Sequence, residues 1–153
     1  MAMLTIRKGD IEPAVAELDL DRIVWKVTNN PFKPEMSEND VLNAVQQYRR
    51  FLTLKIRYPG AQLVPTDDID LIWHAHILDT ENYQLDCNSL FGRFMHHSPF
   101  FGEYGDESQE QMNDLFNITS TLWMKEFGEN LETLNIFRCK GKSCHVTTNC
   151  RCR

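Results

Sequence analysis

The chain has 153 residues and carries 22 acids against 16 bases, a net charge of −6. That length suits one domain with a core of its own. The acidic balance argues against general nucleic-acid binding, which needs a basic face. No apolar run reaches the ~18 residues of a membrane-spanning helix, and Met1 to Lys8 has no secretion-type apolar core, so the cytosol is the expected compartment.

The pattern predicts an all-α fold of about four to five helices. A first segment opens near Asp10 with Pro13 in its first turn. It runs, with a break near Asp19, through Leu20, Ile23, Val24 and Val27 to Asn29-Asn30-Pro31. Ser37 and Asp40 then resemble a capping box, with Asp where Glu or Gln is usual. Val41, Val45, Tyr48, Leu52 and Ile56 follow at helical spacing until Pro59-Gly60. A third helix starts at Pro65-Thr66-Asp67-Asp68, where Thr66 is the expected N-cap and the acids suit the positive end of the helix dipole. A further helix is expected over Thr80 to Phe91, stopped by Gly92.

Arg93 to Gly105 is rich in aromatics and reads as an irregular loop. Its Phe94, Phe100, Phe101 and Tyr104, with Phe91 before it, either line a pocket over the histidines or simply pack the loop. Asp106 to Phe127 reads as a last amphipathic helix, with Met112, Leu115, Phe116, Thr119, Leu122 and Trp123 on one face. Leu134 to Phe137 is expected to be a short extended piece. Residues 1–137 then form the helical domain, and 138–153 a basic tail.

Four of the five histidines lie within 24 positions, as Trp73-His74-Ala75-His76 and His96-His97. Histidine is the commonest metal ligand. On a regular helix His74 and His76 point about 160° apart and cannot serve one ion together, whereas Asp70 and His74 are one turn apart on one face. Two metal readings follow. Asp70, His74 and a loop histidine, His96 or His97, form a His/His/carboxylate set suited to zinc or non-haem iron. If the helix distorts near His76, then His74, His76 and His97 form a three-histidine set suited to zinc or copper, with Asp70 accepting from a ring N–H. Cys87 joins either set if its helix packs alongside. The competing readings are hydrogen-bonded structural histidines and acid–base chemistry without metal.

The run Asp68 to His76, followed by Tyr83, Cys87, Gly92 and Phe94-Met95-His96-His97, resembles the glycine-rich domain-containing protein family. The likeness is good over about Ser37 to Phe101 and looser elsewhere. It implies that Asp70, Trp73, His74, His76 and His97 are family signature positions, and it implies no reaction. The chain departs from the family in having seven glycines and a cysteine-rich end in place of a glycine-rich tail.

That tail, Arg138 to Arg153, holds five of the bases and no acid. Cys139, Cys144, Cys150 and Cys152, with His145, supply enough soft ligands for one zinc or Cu(I) ion. Their spacing equally fits a disulfide pair or free thiols on an unstructured tail. The leading functional expectation is therefore a protein binding zinc, iron or copper, with a metal-dependent enzyme as its extension. The alternative is a non-catalytic module that recognises a protein partner through its acidic body or its tail; a small-molecule partner belongs to the first reading.

Overall fold

In the computed structural model, residues 11–31, 36–98 and 109–131 are described. They form six helices and, among the described residues, no strand: α1 Pro13–Ala16, α2 Asp21–Thr28, α3 Glu38–Arg57, α4 Asp67–Leu78, α5 Thr80–Phe91 and α6 Gln109–Phe127. The all-α expectation holds. The extended piece at Leu134 to Phe137, the boundary near residue 137 and the four tail cysteines lie outside the described residues. No helix among the described residues is long and apolar enough to cross a membrane.

The predicted first segment is two helices. Asp19 Oδ1 accepts from the backbone N–H of Asp21 at 3.1 Å, so the acid that weakens the first helix starts the second. Arg49 of α3 holds the break, donating to Val15 O at 2.6 Å and Leu18 O at 2.9 Å.

Helix α3 is the axis of the fold. Its start is the predicted capping box: Asp40 N–H donates to Ser37 Oγ at 3.1 Å, and Ser37 N–H to Asp40 Oδ2 at 3.2 Å. Val41, Ala44, Val45, Tyr48, Phe51 and Leu52 recur at helical spacing and are buried. At its far end Arg57 reaches Glu12 at 3.0 Å and Glu126 of α6 at 2.9 Å, tying both ends of the described chain to the axis. Tyr58 donates to the same Glu126 carboxylate, and these partners hold that carboxyl below its usual range.

Helix α4 packs against α2, α3 and α5. It is buried on most sides, at Ile69, Leu71, Ile72, Trp73, Ala75 and His76. Thr66 Oγ1 caps it by accepting from Ile69 N–H at 3.3 Å. Asp79 alone separates α4 from α5. It holds the corner through Asn82 Nδ2, 3.0 Å from its carboxylate, and Arg22 of α2 at 3.5 Å. Helix α6 docks beside the connection into α4, where Thr119 Oγ1 accepts from Val64 N–H at 2.9 Å.

Gly92 ends α5 at φ 69°, the left-handed conformation that releases the chain into the loop carrying His96 and His97. A side chain there meets no neighbouring atom within 4 Å, so Gly92→Ala pays only the backbone strain. It is expected to cost about 1 kcal/mol, read as a lower urea midpoint with an unchanged slope.

Candidate metal centre

Asp70 and His74 lie one turn apart on α4, and His97 is brought to them by the segment after α5. His97 Nε2 is 2.6 Å from Asp70 Oδ1 and 3.0 Å from His74 Nε2, and His74 Nε2 is 3.3 Å from Asp70 Oδ2. These three side chains form the one group among the described residues whose spacing suits a metal ion.

The hydrogen-bond pattern of this triangle depends on where the ring hydrogens sit. The carboxylate only accepts, and each neutral imidazole Nε2 carries either a hydrogen or a lone pair. With hydrogens on both rings, His97 donates to Asp70 Oδ1 and His74 to Oδ2, and the two N–H groups crowd each other at 3.0 Å between nitrogens. With a hydrogen only on His97, the His74 lone pair faces the carboxylate. With it only on His74, the His97 lone pair faces Asp70 at the shortest contact of the three. A cation at the centre meets all three lone pairs at once. Nitrogen and oxygen ligands about 2.0–2.2 Å from a tetrahedral ion stand roughly 3.3 Å apart. Two of the contacts are close to that spacing, and a small rotation of His97 opens the third.

The cluster is half open. The side chains of Asp70 and His74 are 32% and 49% exposed, and that of His97 only 14%. His97 is backed by the Trp73 ring, with centroids 4.2 Å apart. Trp73 Nε1–H donates to Tyr83 Oη at 2.9 Å, and Tyr83 Oη–H donates to Met95 O at 2.5 Å. Two residues of α4 and α5 thus set the position of the backbone just before His97. Burial pushes the Tyr83 phenol up, so it keeps the hydrogen this bond needs. Tyr83→Phe removes the link to Met95 and leaves Trp73 Nε1 without its acceptor. It is expected to weaken metal binding about 10-fold, the usual cost of losing a group that orients a ligand, as read by competition with a chelator.

The structure does not bring His76 to this cluster, because α4 continues without distortion to Leu78. His76 is 2% exposed and sits across the helix. Its Nδ1 is 2.7 Å from Tyr48 Oη and its Nε2 is 2.8 Å from Asp86 Oδ2. Burial raises the Tyr48 pKa well above the usual phenol range. Asp86 can only accept, so the ring hydrogen sits on Nε2 and, in the neutral ring, Nδ1 accepts from Tyr48 Oη. Burial also lowers the His76 pKa, against the opposing pull of Asp86. Cys87 is a buried thiol whose pKa burial raises, and it is not a member of the group. His96 is exposed and packs against Phe94, centroids 4.9 Å apart.

Residues 17–131 match the UCP032817-like family. The chain belongs to that family. It is also similar to two Arabidopsis thaliana proteins. It is 35% identical to Glycine-rich domain-containing protein 2 over 119 residues, 71% of this chain and 15% of that protein. It is 30% identical to Glycine-rich domain-containing protein 1 over 109 residues, 65% of this chain and 13% of that protein. The region shared is thus a small part of each relative's length. No solved structure matches the chain.

The expected resemblance to glycine-rich domain-containing proteins is met by these relatives. Reasoning from the residues missed Tyr48 and Asp86 as the partners of His76, and gave Tyr83 no role. Tyr48 lies on the apolar stripe of α3, where any tyrosine reads as core. Nothing local to Asp86 connects it to a residue ten positions earlier on another helix.

Proposed function

We propose that this domain holds one divalent transition metal on Asp70, His74 and His97, with its remaining coordination positions turned to solvent. The convergence of two imidazole nitrogens and one carboxylate on a single point supports this reading. Two histidines and one carboxylate with an open side suit non-haem iron or catalytic zinc rather than a closed structural zinc site. The three-histidine set that suited copper lacks His76. Bound there, the metal supplies Lewis acidity or a site for oxygen chemistry, and a hydrolytic or oxidative enzyme of small molecules is the functional extension. Asp70 contributes the negative charge and fixes the direction of both rings. Trp73 and Tyr83 keep His97 in place.

The test is elemental analysis of untagged full-length protein, beside a His74→Ala/His97→Ala variant and a variant with Cys139, Cys144, Cys150 and Cys152 all changed to serine. Near-stoichiometric metal that survives the serine changes and is lost with the two histidines is the expected result. A wild-type chain that takes up no zinc, iron or copper, while folded, overturns the proposal. It would favour the interaction module, for which Trp25, 69% exposed on α2, is the most exposed large apolar side chain among the described residues.

A further inference from the structure

The segment after α5 also borders a second feature. A groove of about 390 Å3 runs between the end of α3, the end of α5 and residues 93–96. Its apolar wall includes Ile56, Leu90 and Phe94, and its polar groups are Lys55, Arg93 and His96. In a chain with more acids than bases, this lining contains no carboxylate. Among the described residues, no carboxylate forms an ion pair with Lys55 or Arg93. Burial, and then the neighbouring Arg93 charge, lower the Lys55 pKa. The ammonium is also positioned, with Nζ 5.7 Å from the centre of the Phe51 ring.

Two cations that line one groove repel each other, and burial disfavours the charged state of Lys55. An anion between them removes that penalty. The volume lies within the range of small-ligand sites, which combine apolar walls with a few placed polar groups. From this charge pattern and shape we infer that the groove binds a small amphiphilic organic anion, with its carboxylate or phosphate head between Lys55 and Arg93 and its apolar body on Ile56, Leu90 and Phe94. The inference is independent of the metal proposal, since none of Asp70, His74 and His97 lines the groove.

Calorimetric titration of the full chain, in excess EDTA so that no metal contributes, tests it with four probes: octanoate, octyl phosphate, 1-octanol and inorganic phosphate. Saturable one-to-one binding of octanoate, octyl phosphate or both is expected, with octanol and inorganic phosphate at least about 10-fold weaker. Whichever anion is tighter identifies the head group. Lys55→Met, which keeps the apolar stem, and Arg93→Gln, on an exposed residue, are each expected to weaken the anion about 10-fold, the scale of one charge-assisted hydrogen bond. Octanol binding as tightly as octanoate would overturn the inference. So would unchanged affinity in Arg93→Gln, or no saturable binding by any probe to a folded chain.

Discussion

Asp70→Asn is expected to lower metal affinity by about 100-fold or more while leaving the chain folded. Losing a group that merely orients a ligand already costs 10–100-fold, and Asp70 is the only charged donor of the three. Its carboxylate touches both imidazoles, at 2.6 Å and 3.3 Å, so the substitution removes one ligand and loosens the other two. The stability loss is small by comparison. Asp70 lies in the first turn of α4 with Asp67 and Asp68, and losing one of three favourable dipole contacts costs about 0.3–1 kcal/mol. A competition titration against a chromophoric chelator, with circular dichroism as the check on folding, separates the two effects. Equal affinity in the wild type and Asp70→Asn would sink the His/His/carboxylate assignment. An Asp86→Asn variant is the contrast, since that acid faces His76 and leaves the metal donors untouched.

Features that rest on local chemistry were legible in the sequence. Ser37 with Asp40, Thr66 before its acids and Gly92 after Phe91 act within a few residues of themselves, and each is found in its expected role. The Asp70–His74 pair follows from helix periodicity alone, as does the divergence of His74 and His76. The choice of His97 over His96 does not. It is made by the Trp73 ring and by the hydrogen bond from Tyr83 to Met95 O, both set by how α4 and α5 pack. The groove was invisible for the same reason. Lys55 and Arg93 are 38 positions apart in number and share one groove only after α3 and the loop come together. The aromatic cluster was half anticipated: Phe91 and Phe94 line the groove rather than a pocket on the histidine triangle, and Phe100, Phe101 and Tyr104 lie outside the described residues.

Removing the His76 ring is expected to cost far more stability than any change at the metal cluster. His76→Ala leaves the Tyr48 hydroxyl, on a side chain with no exposed surface, without its acceptor, which costs about 1–3 kcal/mol. The space vacated between Tyr48, Tyr83 and α5 adds a cavity term of a further ~2 kcal/mol. A total of roughly 3–5 kcal/mol is a large fraction of a small domain's stability. Tyr48→Phe, which removes only the donor, is expected to cost about 1 kcal/mol, and urea denaturation distinguishes the two. The pH dependence follows from the same geometry. Burial lowers the folded-state pKa of His76 below its ordinary 6.5, so the unfolded chain takes up this proton first. The stability it contributes is complete above about pH 6.5 and is lost as the pH falls from there toward the folded value. The urea midpoint should therefore fall between pH 7 and pH 5, and a His76→Gln variant should lack that part of the slope. If the wild type and His76→Gln follow parallel curves, the buried ring is not kept neutral. Nδ1 would then not be the acceptor for Tyr48, and Tyr48, His76 and Asp86 would need a different hydrogen-bond assignment.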